Sequence, residues 1–274
     1  MRFLPDEAAP FSLSATHPAV ELWGEGRTAP ALIICDHASN AVPGALDNLG
    51  LAEGDLNRHI GWDIGAAVAA RRLADQIGAT AVLSRISRLV IDCNRPLGHP
   101  TSICAESDGI LVPGNRDLDE RRRRQRAEEY FYPYHGAVCR ELNRVEAAAA
   151  DRVASLVAVH SFTPMMNGFQ RPWHVGVLWN RDPRLARPLI DALRTGEGLC
   201  VGDNEPYSGR NANYTVGIHG AAYGRPHVSI EIRQDLIADE PAAVAWGDRL
   251  ARILGPLLAL PENRARQRFS EIPA

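Results

Sequence analysis

Solidly apolar runs alternate along this chain with longer stretches of helical periodicity. The runs are ALIIC at 31–35, ATAVLS at 79–84, RLVID at 88–92, ASLVAVH at 154–160, HVGVLW at 174–179 and HVSIEI at 227–232. Short and rich in β-branched residues, they read as buried strands. Ile60, Ile64, Ala67, Val68, Leu73 and Ile77 recur mostly at three- to five-residue steps, which predicts an amphipathic helix closed by Gly78. A long polar helix is predicted from about Leu118, interrupted near Pro133, with further helices at 183–195 and 241–256. Residues 1–28 read as irregular, 261–274 as a polar tail, and Pro96–Gly114 as a long Gly/Pro-rich loop. Strands alternating with helices over the whole length predict an α/β fold with a largely parallel sheet covered on both faces. No linker divides it, so a single domain over 1–274 is expected.

Three of the strands end on ionisable groups: IICDH, LVAVH and VSIE. In open α/β sheets, ligands sit in the crevice beyond the carboxyl ends of the strands. If these strands are parallel, His37, His160 and Glu231 converge there. Two imidazoles beside a carboxylate suit zinc, which takes nitrogen and oxygen ligands and leaves a position to water in catalytic sites. Asp63, in HIGWDIGA, is the further carboxylate available. Each residue alone has a plainer explanation. A strand-end histidine is often only hydrogen-bonded, Asp63 suits the positive end of a helix, and Glu231 could pair with an arginine such as Arg233. In SRLVIDCNRP, Asn94 and Arg95 follow an apolar run that Arg88 begins. An arginine there either orients an acidic substrate through its planar fork or pairs with Asp92.

Composition narrows the chemistry. The chain has no lysine; its thirty basic residues are all arginine. Schiff-base chemistry, pyridoxal phosphate catalysis and the phosphate-binding P-loop all require lysine and are excluded. A formal charge of −3 offers no global field for nucleic acid. The run Arg121–Arg124 is flanked by acids and reads as a solvated helix face. Five scattered cysteines without a CxxC spacing argue against a disulfide framework. Cys35 and Cys93 read as small buried hydrophobes, and Ser161 lacks the GxSxG elbow of a nucleophile. No membrane-spanning run or signal-peptide pattern is present, so a cytoplasmic protein is expected.

DHASNAVP, GWDIGA, SRLVIDCNRP, AVHSFTP and SIEIRQD occur in the order found in the N-formylglutamate amidohydrolase family, which the chain resembles over roughly residues 30–255. The resemblance implies a three-layer α/β/α sandwich with a mostly parallel mixed sheet, similar to zinc-dependent exopeptidases. It also implies one zinc ion per chain and hydrolysis of the N-acyl bond of an acidic N-acyl amino acid such as N-formylglutamate. His37, Asp63 and His160 resemble the metal ligands and Glu231 the catalytic carboxylate. Asn94 and Arg95, helped by Arg88, resemble the group that holds the substrate's carboxylate. The expected partner is this small molecule, with no nucleic acid and no membrane. Where typical family members read PHSG at the first motif, this chain has Asp36, Ala38, Ser39 and Asn40 around the histidine, a divergent pattern. The alternatives are the same chemistry on another N-acyl amino acid or small peptide, and a non-catalytic relative that binds metal and an anion. The loop 96–114 is expected either to cover the substrate or to be a surface loop.

Overall fold

The computed structural model describes residues 19–148, 153–195, 198–211 and 213–270. Eleven strands follow in chain order. The first three are β1 (Val20–Trp23), β2 (Ala31–Cys35) and β3 (Thr80–Ser84), and then β4 (Glu106–Ser107) and β5 (Ile110–Leu111) form a small hairpin. After β6 (Ser155–Phe162) comes a second hairpin, β7 (Met165–Met166) with β8 (Phe169–Gln170). The chain continues with β9 (Val175–Leu178), β10 (Val201–Asp203) and β11 (His227–Arg233). Seven strands build the main sheet in the order β1-β3-β2-β6-β11-β9-β10. Strands β3, β2, β6 and β11 are mutually parallel, while β1 is antiparallel to β3. Beyond β11 the direction reverses, because β9 runs antiparallel to it and β10 follows β9.

The helices are α1 (Glu53–Leu56), α2 (Ala66–Ile77), α3 (Glu120–Arg126), α4 (Tyr132–Ala147), α5 (Ala186–Thr195), α6 (Tyr214–His219) and α7 (Glu240–Ala259). Strand alternation sends Ile33, Val157, Val159, Val228, Ile230 and Ile232 to one face, where they pack against Leu73 of α2, Leu189 of α5 and Leu250 of α7. Leu32, Ile34, Leu156 and Ala158 point to the other face, against Tyr134, Val138 and Leu142 of α4. This is the expected three-layer α/β/α sandwich with a mostly parallel mixed sheet.

Several local expectations are corrected. The run 88–92 is not a strand. Val90 N donates to Ser87 O, Asp92 N to Ser102 O, and Asn115 Nδ2 to Leu89 O. Leu89, Val90 and Ile91 are apolar because they fill a separate cluster with Ile103, Val112 and Phe131. The helix expected from Ile60 begins at Ala66, and Ile60 joins that same cluster. Gly65 precedes it at φ 77, where a Cβ would collide with the Ile237 carbonyl. Pro133 does not interrupt the polar helix. A π turn at Ala127–Phe131 links α3 to α4, and the missing N–H of Pro133 falls at this change of register. Residues 1–28 were expected to be irregular: β1 lies within them, and 1–18 are outside the described residues. The polar tail docks through a short 3₁₀ turn at Pro261–Arg264 that buries Asn263, and its last residues, 271–274, are outside the described ones.

Candidate metal and active site

The site lies at the carboxyl ends of the parallel strands. Asp36 continues the face of Leu32 and Ile34 two residues past the last of them, and His160 likewise follows Leu156 and Ala158. Glu231 pairs in parallel register with His160. Asp63 is brought in by the turn before α2, where its backbone N donates to His37 O at 2.9 Å. Ser161 Oγ donates to Ile64 O and fastens that turn to β6. His37, Asp63 and His160 are all buried, and one ligand atom from each lies within 4.8 Å of the others.

The two imidazoles are oriented alike. Their Nδ1 atoms face Asp63 Oδ2, at 3.2 Å for His37 and 2.8 Å for His160. Their Nε2 atoms face outer carboxylates: Asp92 Oδ1 at 2.8 Å from His37, and Asp36 Oδ2 at 3.2 Å from His160. Thr215 Oγ1 donates to Asp36 Oδ1, and Asn94 N to Asp92 Oδ1, so both outer carboxylates are themselves anchored. On His37 an Nε2 hydrogen given to Asp92 leaves Nδ1 available as an inward ligand atom, the second-sphere pattern of histidine metal ligands, while His160 has Asp36 as an ion partner behind it.

The electrostatics fit a cation. Burial alone would raise the Asp63 carboxyl, yet the charges and hydrogen bonds of His37 and His160 hold it far below the usual range. Burial and Arg88 lower His37, but Asp92 and Asp63 outweigh them and raise it. Burial likewise lowers His160, while Asp36, Asp63 and Glu231 together push it well up. Positive charge is therefore favoured where the two rings meet Asp63. A nitrogen–nitrogen–oxygen donor set with this surplus of buried carboxylate fits a divalent metal.

Glu231 differs from its neighbours. Burial raises its carboxyl to about 7, against the lowering pull of His160, and its Oε2 is buried without a hydrogen-bond partner among the described residues. A carboxylate with these properties facing a cleft is suited to general acid–base work. The cleft has a volume of about 300 Å³ and includes His37, Asp63, His160, Glu231, Asn94 and Arg95 in its walls.

The three residues expected on substrate divide. Arg95 lines the cleft with only its Nη1 engaged, on the adjacent Asn94 carbonyl. Asn94 also lines it, its Oδ1 accepting from Thr215 N. Arg88 lines it too, but its guanidinium bridges Asp63 Oδ1 at 3.4 Å and Asp92 Oδ2 at 2.8 Å. Segment 96–114 forms one wall. Asp108, at the tip of the β4–β5 hairpin, reaches Arg58 at 3.1 Å and His59 at 3.5 Å.

Sequence reasoning passed over the part Asp36 and Asp92 play. Asp36 had a signal, since it shares a strand face with the apolar residues before it and so points the way His160 does. Asp92 had none, because the run containing it looked like a strand. Cys35 and Cys93 are buried and their thiols pushed well up, chiefly by burial, which fits packing rather than nucleophilic chemistry. In the arginine-rich helix Arg121 and Arg122 face solvent, but Arg126 is buried and donates to Val90 O and Asn115 Oδ1.

No curated protein matches the chain. Among solved structures, the gene product Atu2144 from Agrobacterium tumefaciens is 36% identical with a TM-score of 0.83, over 88% of this chain and 95% of that one. An N-formylglutamate amidohydrolase from Ralstonia eutropha JMP134 is 19% identical with a TM-score of 0.62, over 85% of this chain and 97% of its own, and shares the fold. The family model for N-formylglutamate amidohydrolase matches residues 29–238, which span every residue of the cluster. The chain belongs to the N-formylglutamate amidohydrolase family, hydrolases that act on the carbon–nitrogen bond of amides.

Proposed function

We propose that this protein is a zinc-dependent amidohydrolase that cleaves the N-acyl bond of an acidic N-acyl amino acid of the N-formylglutamate type. The observation that carries the reading is the convergence, in one cleft, of the His37–Asp63–His160 cluster with the unpartnered Glu231 carboxylate. His37 and His160 through Nδ1, with Asp63, would hold a single ion. A zinc ion so held would supply Lewis-acid polarisation of the acyl carbonyl and make the attacking water more acidic.

The chain's own residues do the rest. Asp92 orients the His37 ring through a hydrogen bond, and Asp36 stands as an ion partner behind His160. Glu231 Oε2 accepts the proton of the attacking water and returns it to the departing amine, work that suits a carboxyl near neutrality. The Arg95 guanidinium, free of any ion pair given by the described residues, receives the carboxylate of the amino-acid half, and Asn94 adds a polar wall. Arg88 acts mainly behind the site, holding Asp63 and Asp92 in place.

The test is elemental analysis joined to a screen of N-acyl amino acids. The purified protein is expected to contain about one zinc per chain and to hydrolyse acidic N-acyl amino acids, N-formylglutamate among them. His37→Ala and His160→Ala are expected to lose the metal. A protein without metal that gains no activity from added zinc would overturn the reading.

A further inference from the structure

Beyond the ligands and Glu231, one phenol stands in the cleft with an uncommon companion. Tyr207 lines the cleft, and its Oη accepts a hydrogen bond from Arg171 Nη1 at 3.1 Å. Arg171 is buried, and its other polar partner is the Thr163 carbonyl at 3.2 Å. Its guanidinium lies over the rings of Tyr207, at 4.8 Å, and Phe162, at 5.7 Å. No carboxylate among the described residues forms an ion pair with it. A buried guanidinium without an ion pair is uncommon, and here its Nη1 is shared between one phenol and one backbone carbonyl.

The segment that carries Tyr207 is tightly placed. After β10, Asn204 Oδ1 accepts from both Trp179 N and Gly209 N, and Asn204 N donates to Val177 O. The segment then lies flat on the sheet. A Cβ at Gly176 or Gly202 would strike the Glu205 carbonyl. Gly176 is the antiparallel register partner of Glu231, so the segment crosses the sheet beside the proposed base. Glycine at these two positions thus clears the space that brings Tyr207 to the cleft.

We propose that Tyr207 is a further catalytic residue, donating its phenolic hydrogen to the carbonyl oxygen of the scissile amide as that oxygen gains negative charge, with Arg171 as the positioning residue behind it. Because the phenol oxygen already accepts from Arg171, its own hydrogen is left to point into the cleft. A donor with a cation at its back is a stronger donor, and one held by a fixed loop needs no reorganisation during the reaction. The phenol keeps its proton throughout; no bond of Tyr207 forms or breaks. Burial and the Glu231 carboxylate raise its pKa above the ordinary value, against the pull of Arg171 and Arg88, so it keeps its proton at neutral pH.

This inference rests on the amidohydrolase reading above. The test is Tyr207→Phe in the metal-loaded full chain, assayed on N-formylglutamate and other acidic N-acyl amino acids. kcat is expected to fall roughly a hundredfold with KM within about twofold, because the bond strengthens only as charge develops. Binding of a tetrahedral phosphonamidate analogue should weaken by a similar factor, while the product amino acid binds as before and zinc content is unchanged. Arg171→Gln should lower kcat in the same direction, and Arg171→Lys should recover part of it. An active wild-type protein whose Tyr207→Phe variant keeps its kcat and its affinity for the analogue would overturn the inference alone. A wild-type protein that binds zinc but hydrolyses no N-acyl amino acid would overturn the functional reading, and the inference with it.

Discussion

Glu231 presents a buried carboxylate oxygen with no partner, two residues from the end of a strand whose parallel neighbour supplies His160. Glu231→Gln keeps the size of the group but removes its ability to take a proton. Metal content and fold are expected to survive while the rate falls roughly a hundredfold or more, measured by elemental analysis and steady-state kinetics on one preparation. Arg95 makes a different prediction. N-acyl amino acids with a free carboxylate should be cleaved far better than their amidated counterparts, and Arg95→Ala should erase most of that preference with zinc still bound. The loss corresponds to about 2–3 kcal/mol, or roughly thirty- to a hundredfold in kcat/KM. Equal rates on free acid and amide in the unsubstituted protein would remove Arg95 from the substrate. That His37, His160 and Glu231 gather at one end of the sheet was readable from the sequence, because each interrupts an apolar strand near its end. Asp92 and Tyr207 were not, since what gives them meaning is a partner brought across the fold: His37 for one and Arg171 for the other.

At the scale of an element, the turn before α2 fixes Asp63. Gly65 occupies the left-handed region, and its missing Cβ leaves room for the Ile237 carbonyl. Gly65→Ala should therefore destabilise the protein by on the order of 3 kcal/mol in urea denaturation, through backbone strain together with a clash that no rotamer relieves. Because Asp63 is two residues away, weaker zinc retention is expected in the same variant. Wild-type stability and metal affinity in Gly65→Ala would show that the turn can shift without cost. The strands that proved readable, β2, β3, β6, β9 and β11, are buried on both faces, so their apolar runs are continuous. Strand β1 lies at the sheet edge and is half-exposed, and β10 has three residues, too few to display a period. The run 88–92 misled for the opposite reason: burial alone made it apolar, and its backbone bonds are made in turns.

Across the whole molecule, stability is tied to pH through a pair of histidines outside the cleft. His135 Nε2 lies 2.9 Å from the Cys93 carbonyl, and its Nδ1 lies 3.0 Å from His219 Nε2. The Cys93 carbonyl takes the Nε2 hydrogen, so Nδ1 is an acceptor and His219 the donor. Burial pulls His135 down to about 4. It pulls His219 down to about 3, with help from the neighbouring ring. Both are thus neutral in the fold, whereas in the unfolded chain they take protons below about pH 6.5. The unfolded state then binds more protons, so stability rises with pH across this window and falls as pH drops from about 6.5 towards 4. His135→Gln can donate to Cys93 and accept from His219. It should reduce the proton uptake on unfolding near pH 5 by about one, read from the pH dependence of denaturant midpoints. An unchanged slope would mean that the pair already carries a proton in the folded protein.

No helix in the described residues is long and apolar enough to cross a membrane. Within the main sheet, direction reverses between β11 and β9, immediately beside Glu231. The proposed ligands and base come from the parallel side or the turn attached to it. Tyr207 and Arg171 come from segments that flank the reversed strands. The cleft thus draws the proposed ligands and Tyr207 from different stretches of the chain. Changes in the chain around 163–171 and 204–209 can retune which acyl compounds are accepted without disturbing the groups that hold the ion. Exchanging those two segments for a relative's should therefore shift the ratio of kcat/KM between N-acyl amino acids and leave the zinc content of the protein at about one per chain.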